Sequence, residues 1–124
     1  MKGKKTKSLE LRLKRKKRIR TQIVGTTQRP RLCVYRSNKH IYAQLINDAE
    51  GKTLAALSTK SVTLKDALEG TMVDKAKKVG LELAKICVEK GVEKVIFDRN
   101  GFIFHKGGRI AAVATGAREG GLKF

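Results

Sequence analysis

Three groups of side chains in this 124-residue sequence have the types and spacing to do chemistry, and all three suit a polyanion. The first is a cation run, Lys14, Arg15, Lys16, Lys17, Arg18 and Arg20, joined further on by Arg29 and Arg31. Cations at this density repel one another and fasten to phosphates, which positions a protein on nucleic acid without reading its sequence. The second group, Arg36, Ser37, Asn38, Lys39, His40, Tyr42 and Gln44, mixes hydroxyls, amides, an imidazole and a phenol with two cations. Such a set can stack bases and hydrogen-bond their edges, the mode that serves folded or single-stranded RNA. The third, Arg99, Asn100, His105, Lys106 and Arg109, is spaced by Gly101, Gly107 and Gly108. Gly107-Gly108 ahead of a helix could turn backbone N–H groups toward a phosphate. The spacing matches neither the P-loop nor the dinucleotide fingerprint, and a solvated turn has the same composition.

Other chemistries have weaker support. Asp48, Glu50 and Asp98 lie near strand ends, where carboxylates could hold Mg²⁺ for phosphodiester cleavage. Asp48 and Glu50 sit in a turn, however, where acids commonly serve the backbone. His40 and His105 could act as an acid–base pair, but nothing in the sequence brings them together, and no nucleophile motif is present. Cys33 and Cys87 fall on different elements, with no C-x-x-C and no histidine at ligand spacing. They read as reduced, packed thiols of a cytosolic protein rather than as zinc ligands. No stretch approaches the ~18 apolar residues of a membrane span. The N-terminal segment lacks the apolar run of a secretory signal, and its bias to lysine differs from the Arg- and Ser-rich composition of a mitochondrial presequence. No metal, cofactor, membrane or small-molecule substrate is expected.

The elements that must position these groups follow from charge and periodicity. Residues 1–31 carry thirteen lysines and arginines against one acid, Glu10, and so hold +12 of the net +18. Leu9, Leu13 and Ile19 make only a thin apolar stripe in this segment, too little to offset the entropy of ordering it. It reads as a basic tail that is mobile when free and partly helical or extended when bound. Gly25-Thr26-Thr27 breaks any helix, and Pro30 forces Arg29 to be extended.

Residues 32–124 then read as one globular domain. Leu32–Ser37 and His40–Ile46 alternate as a hairpin turning on Asn38-Lys39, with Tyr35 opposite Tyr42 and Cys33 opposite Gln44. One face, Leu32, Val34, Ile41, Ala43 and Leu45, is apolar except for Arg36 and belongs on a core. The other carries Cys33, Tyr35, Ser37, His40, Tyr42 and Gln44. Its tyrosines either meet RNA or form a cross-strand pair beneath a helix, and the pattern alone leaves both open.

A third, antiparallel strand is predicted around Thr53–Ser58, and an irregular connection over Lys60–Gly70. Thr71 and Asp74 suggest a capping box for a helix that buries Val73, Ala76, Val79, Gly80, Leu83, Ala84 and Cys87 and stops at Gly91. Gly80 is expected to let that helix approach a sheet closely. Lys94–Phe97 is a short strand, parallel to its partner because a helix crosses between them. Asp98–Gly101 turns the chain, and Arg109–Arg118 is a last helix closed by Gly120-Gly121. The fold class is therefore α+β, with a mixed sheet in βββαβα order: three antiparallel strands, a helix, a parallel strand and a C-terminal helix behind the tail.

Three stretches also carry a resemblance. Arg29–Gln44 (RPRLCVYRSNKHIYAQ), Phe97–Gly101 (FDRNG) and Gly108–Phe124 (GRIAAVATGAREGGLKF) closely resemble, in this order, the bacterial large-subunit ribosomal protein number eighteen family. The likeness spans essentially the whole chain. It implies a non-enzymatic structural protein of the cytoplasmic ribosome that binds 5S rRNA and helps attach it to the large rRNA in the central protuberance. Its neighbour there would be a second 5S-binding protein, number five, and the free protein would be monomeric. By motif, the implied RNA contacts are Arg36, Ser37, Asn38, Lys39, His40, Tyr42 and Gln44, with Arg99, Asn100, His105 and Arg109. One departure stands out: Lys106 and Gly107 intervene between His105 and Gly108, where the family runs directly from histidine into Gly-Arg. A general nucleic-acid-compacting protein is the alternative that composition allows, and a Mg²⁺-dependent nuclease the third.

Overall fold

The computed structural model describes residues 2–60, 70–102, 104 and 107–124, with residues 2–7 as backbone alone. A helix α1 (Lys2–Arg20) precedes a meander of β1 (Arg31–Arg36), β2 (Ile41–Asn47) and β3 (Lys52–Ser58). Helix α2 (Met72–Glu89), strand β4 (Ile96–Asp98) and helix α3 (Arg109–Glu119) follow. The sheet runs β3-β2-β1-β4, with β4 parallel to β1 and the other pairs antiparallel. This is the predicted α+β order. The connection expected over 60–70 falls largely outside the described residues.

Period-two alternation sets the hairpin, and the observed register matches it: Tyr35 faces Tyr42 and Cys33 faces Gln44. Ser37 N donates to His40 O at 2.9 Å and closes the Asn38-Lys39 turn. Leu32, Val34, Ile41, Ala43 and Leu45 are fully buried under α2 and α3. Each of the larger side chains contributes about 1.5–3 kcal/mol by leaving water.

The capping box of α2 is present in both directions: Asp74 N donates to Thr71 Oγ1, and Thr71 N donates to Asp74 Oδ2 at 3.0 Å. The buried face is Ala76, Val79, Gly80, Leu83, Ala84 and Cys87. Val73, expected on that face, lies in the first turn and is exposed. Gly80 meets a helix rather than the sheet. A Cβ there would run into the Val113 carbonyl, and one at Gly116 into the Lys77 carbonyl, so α2 and α3 pack backbone against backbone. The last strand is displaced from its predicted span: Lys94 makes only an isolated bridge to Lys123, and the ladder with β1 begins at Ile96. That shift carries Asp98 into the sheet.

The basic segment forms the 19-residue helix α1. Its expected apolar stripe does little of the docking, since Leu9 and Leu13 remain about half exposed at 52% and 46%. Arginines tie it to the body instead. Arg15 Nε donates to Gly101 O at 2.8 Å, and Arg20 reaches Asp98, Asn100 and Cys33. Gly101 permits the approach: its φ is +77°, and a Cβ there would collide with the Arg12 carbonyl and crowd Lys16 N.

Candidate nucleic-acid interface

Asp98 is the electrostatic centre of the region where α1, β1 and β4 meet. It is fully buried, and its Oδ2 accepts from Arg31 Nη1 at 2.8 Å and Arg20 Nε at 3.4 Å, while Oδ1 accepts from Asn100 N at 2.9 Å. Arg31 also grips Asp48 with two donors, at 3.0 and 3.1 Å. A carboxylate in such a place is tolerable only with this many charge-assisted partners. The Asp48 contact, opposed by burial, raises the Arg31 pKa on balance, and the same pair holds Asp48 below the usual carboxylate range. A backbone N–H from Gly25 adds to the effect on Asp48.

These pairs change the status of several predicted residues. Arg31 is engaged inside the fold, and its side chain, only 10% exposed, is committed to Asp48 and Asp98. Asn100 is likewise buried, its Oδ1 accepting from Arg20 and its backbone left-handed at φ 54°. Asp48 and Asp98, the carboxylates considered for Mg²⁺, neutralise Arg31, and Glu50 lies 4.0 Å from Lys52. Among the described residues no cluster of His, Cys, Asp and Glu is arranged to hold a metal. Both cysteines are buried free thiols. Burial and the nearby Asp98 push the Cys33 thiol up, and burial pushes Cys87 up to about 11.

The remaining groups converge on one side of the molecule. On the sheet face away from α2 and α3, Tyr35 and Tyr42 pair with ring centroids 5.9 Å apart, and Tyr35 meets Phe102 edge-on at 5.6 Å. The cross-strand pair is therefore real, yet it lies outside the apolar core, with Tyr35 still 44% exposed. Gln44, Asn38 and Lys39 are exposed, whereas Ser37 and His40 are half-buried. His40 Nδ1 is held 2.8 Å from Thr59 Oγ1, which orients the ring at the turn.

Arg109 Nη1 donates to Ser37 O at 3.4 Å and brings the glycine-spaced group to the hairpin turn. Gly108 is the N-cap of α3 without a side-chain cap, as the glycine pair suggests. Arg99 is half-buried and donates to Phe102 O at 3.1 Å. His105 and Lys106 lie outside the described residues. Lys14, Lys17, Arg18 and Arg29 are exposed, Arg15 and Lys16 half-buried, and Arg20 38% exposed on its side chain. Sequence reasoning missed Arg12 and Phe102. The Arg12 guanidinium lies 4.5 Å from the Phe102 ring centroid and 5.5 Å from that of Tyr35. In a run of cations nothing marked Arg12 as the one that would meet an aromatic pair.

The chain is similar to known proteins over nearly its whole length. A family model described as ribosomal L18 of archaea, bacteria, mitochondria and chloroplasts matches residues 5–124. The large ribosomal subunit protein uL18 of Myxococcus xanthus is 58% identical over 116 residues, covering 94% of this chain and 97% of that protein. The protein of the same name from Thermotoga petrophila is 52% identical over 122 residues, 98% of each chain, and that of Macrococcus caseolyticus 55% identical over 93% of each. The class is thus that of the non-enzymatic, structural proteins of the large ribosomal subunit. Within it, this chain belongs to the ribosomal L18 family.

Proposed function

We propose that the protein binds 5S rRNA and helps attach it to the large rRNA in the central protuberance, beside the 5S-binding protein number five, on cytoplasmic ribosomes. The observation that carries this reading is the joining of the RSNKHIYAQ hairpin to Arg109 at one turn, next to paired tyrosines on a sheet face that α1 covers only in part. A hollow of about 160 Å³ beside Tyr42 and Gln44 on that face is a place where an unstacked base could lodge. Arg36, Ser37, Asn38, Lys39, His40, Tyr42, Gln44, Arg99 and Arg109 make the body's contacts to RNA, with His105 and Lys106. Lys14, Arg15, Lys16, Lys17, Arg18, Arg20 and Arg29 supply phosphate contacts. The first turns of α1 order on rRNA, whereas its last turns are already seated on the body.

If the arm neutralises about eight phosphates, log K falls with log salt at a slope of roughly −6 to −7. The decisive experiment is competition among 5S rRNA, tRNA and duplex DNA at about 0.15 M salt, where screening suppresses weak contacts. A preference for 5S rRNA is expected, and equal binding of all three would favour a general compacting role. Tyr42→Ala is expected to cost about 1–3 kcal/mol of RNA affinity if its ring stacks on a base. Unchanged affinity with lower thermal stability would assign the ring to the cross-strand pair alone.

A further inference from the structure

Between α1 and the open sheet face lies a groove of about 350 Å³, walled by Arg12 and Arg15 of the helix, Arg36 of β1, and the rings of Tyr35 and Phe102. Three guanidiniums share it, and no carboxylate is among the described residues that line it. Arg12 Nε is buried beside it and has no hydrogen-bond partner among the described residues. Native proteins rarely leave such a donor orphaned, and a water or an anion is among the groups that can satisfy it.

The other two cations are held in place around it. Arg36 lies 5.5 Å from the Phe102 centroid, and Arg15 is fixed by Gly101 O. A guanidinium resting on a ring or tied to a carbonyl is set in orientation, which suits its fork of donors to an oxyanion. Crowding leaves its mark on neighbouring charges. Burial and then Arg109 lower the Arg36 pKa, and burial followed by Arg20 and Arg12 lowers that of Lys16. An anion in the groove would favour the charged form of Arg36, which lines it. A base would fit less well, because guanidiniums already lie over the ring faces.

We infer that the groove is a preformed site for one backbone phosphate of RNA, gripped jointly by Arg12, Arg15 and Arg36. This rests on the RNA-binding reading above and adds that arm and hairpin close on the same phosphate rather than attaching separately.

Two measurements on the full chain test it. In the first, inorganic phosphate is titrated into RNA-free protein while the arginine Nε–H NMR signals are followed. The Arg12 signal is expected to shift saturably, with Arg118, which lies over Phe124, as the reference. A shift no larger than that of Arg118 overturns the site. In the second, RNA affinity is measured against salt for Arg12→Gln, Arg36→Gln and the double variant. Each single change should weaken binding about tenfold and reduce the magnitude of the log–log slope by about 0.7–0.9. The double variant should lose no more slope than either single one, since one phosphate is lost once. Twice the slope loss would mean two separate phosphates and would overturn the shared site. Should Arg12→Gln loosen α1, Arg36→Gln still decides, because Arg36 lies on a strand. A wild-type preference for 5S rRNA with unchanged slopes in both variants overturns the groove and leaves the 5S reading standing. Slope loss on 5S rRNA and tRNA alike, with no wild-type preference, does the reverse.

Discussion

Helices pack on both faces of this sheet, and different forces hold them. On one face α2 and α3 cover Leu32, Val34, Ile41, Ala43 and Leu45, with Gly80 and Gly116 letting the two helices touch through their backbones. On the other, α1 leaves Leu9, Leu11 and Leu13 exposed and holds to Gly101, Asp98, Asn100 and the aromatic pair through Arg12, Arg15 and Arg20. Both packings use a glycine for close approach, but only the first rests on apolar burial. The second depends on hydrogen-bond geometry and charge, so it responds to salt, acid and competing anions, while the first is largely indifferent to them. A helix that must be fastened yet still meet RNA is better held by cations than by a buried stripe, because its charged surface stays usable.

The largest effect on this contrast should come from the residue that serves both sides. Asp98→Ala leaves Arg31 buried with Asp48 alone and deprives Arg20 of its carboxylate. A loss of about 3–5 kcal/mol is expected in chemical denaturation. A loss below about 1 kcal/mol would mean that the body does not depend on this node. Gly101→Ala should act on α1 more than on the body, costing about 1–2 kcal/mol for the left-handed backbone. Because Arg20 lies over Cys33 Sγ at 3.8 Å, undocking should speed the reaction of Cys33 with a thiol reagent and leave Cys87 protected in the core. Equal rates in variant and wild type would show that α1 is not seated as described.

The smallest effect is acid sensitivity. Arg31, and then the Gly25 N–H, hold Asp48 below its ordinary range. Its contribution is therefore fully present above about pH 3.9 and is lost as pH falls through the folded-state value. Asp48→Asn should flatten the stability profile in that window by less than about 1 kcal/mol, given its partial exposure. Parallel acid profiles for the two proteins would remove Asp48 from the network's energetics.

The hairpin, its register and its buried face were legible because strand alternation is local and a slip of one residue would invert it. The capping box of α2 was legible for the same reason, since Thr71 and Asp74 are three residues apart. Charge was read less well. Arg31 looks like its neighbours in the basic run, yet it pairs with Asp98, 67 positions away, and no periodic signal announces such a partner. Gly80 was recognised as a point of close approach, but nothing in the sequence distinguished a sheet from α3 as the surface approached. The seating of α1 was hidden because it uses cations, which in a sequence read as solvent-facing.

Residues 122–124 have a consequence for behaviour in concentrated solution. Lys123 N donates to Glu93 O at 2.8 Å and Val95 N donates to Lys123 O at 3.1 Å, while Phe124 stacks on Phe97 at 5.6 Å. This short segment lies along the chain just ahead of β4, at the outer margin of the sheet, and occupies backbone groups that another chain could otherwise pair with. Exposed strand margins are where nascent or crowded proteins join into aggregates. Trimming these residues should therefore show itself first as self-association on concentration, before any change in nucleic-acid affinity.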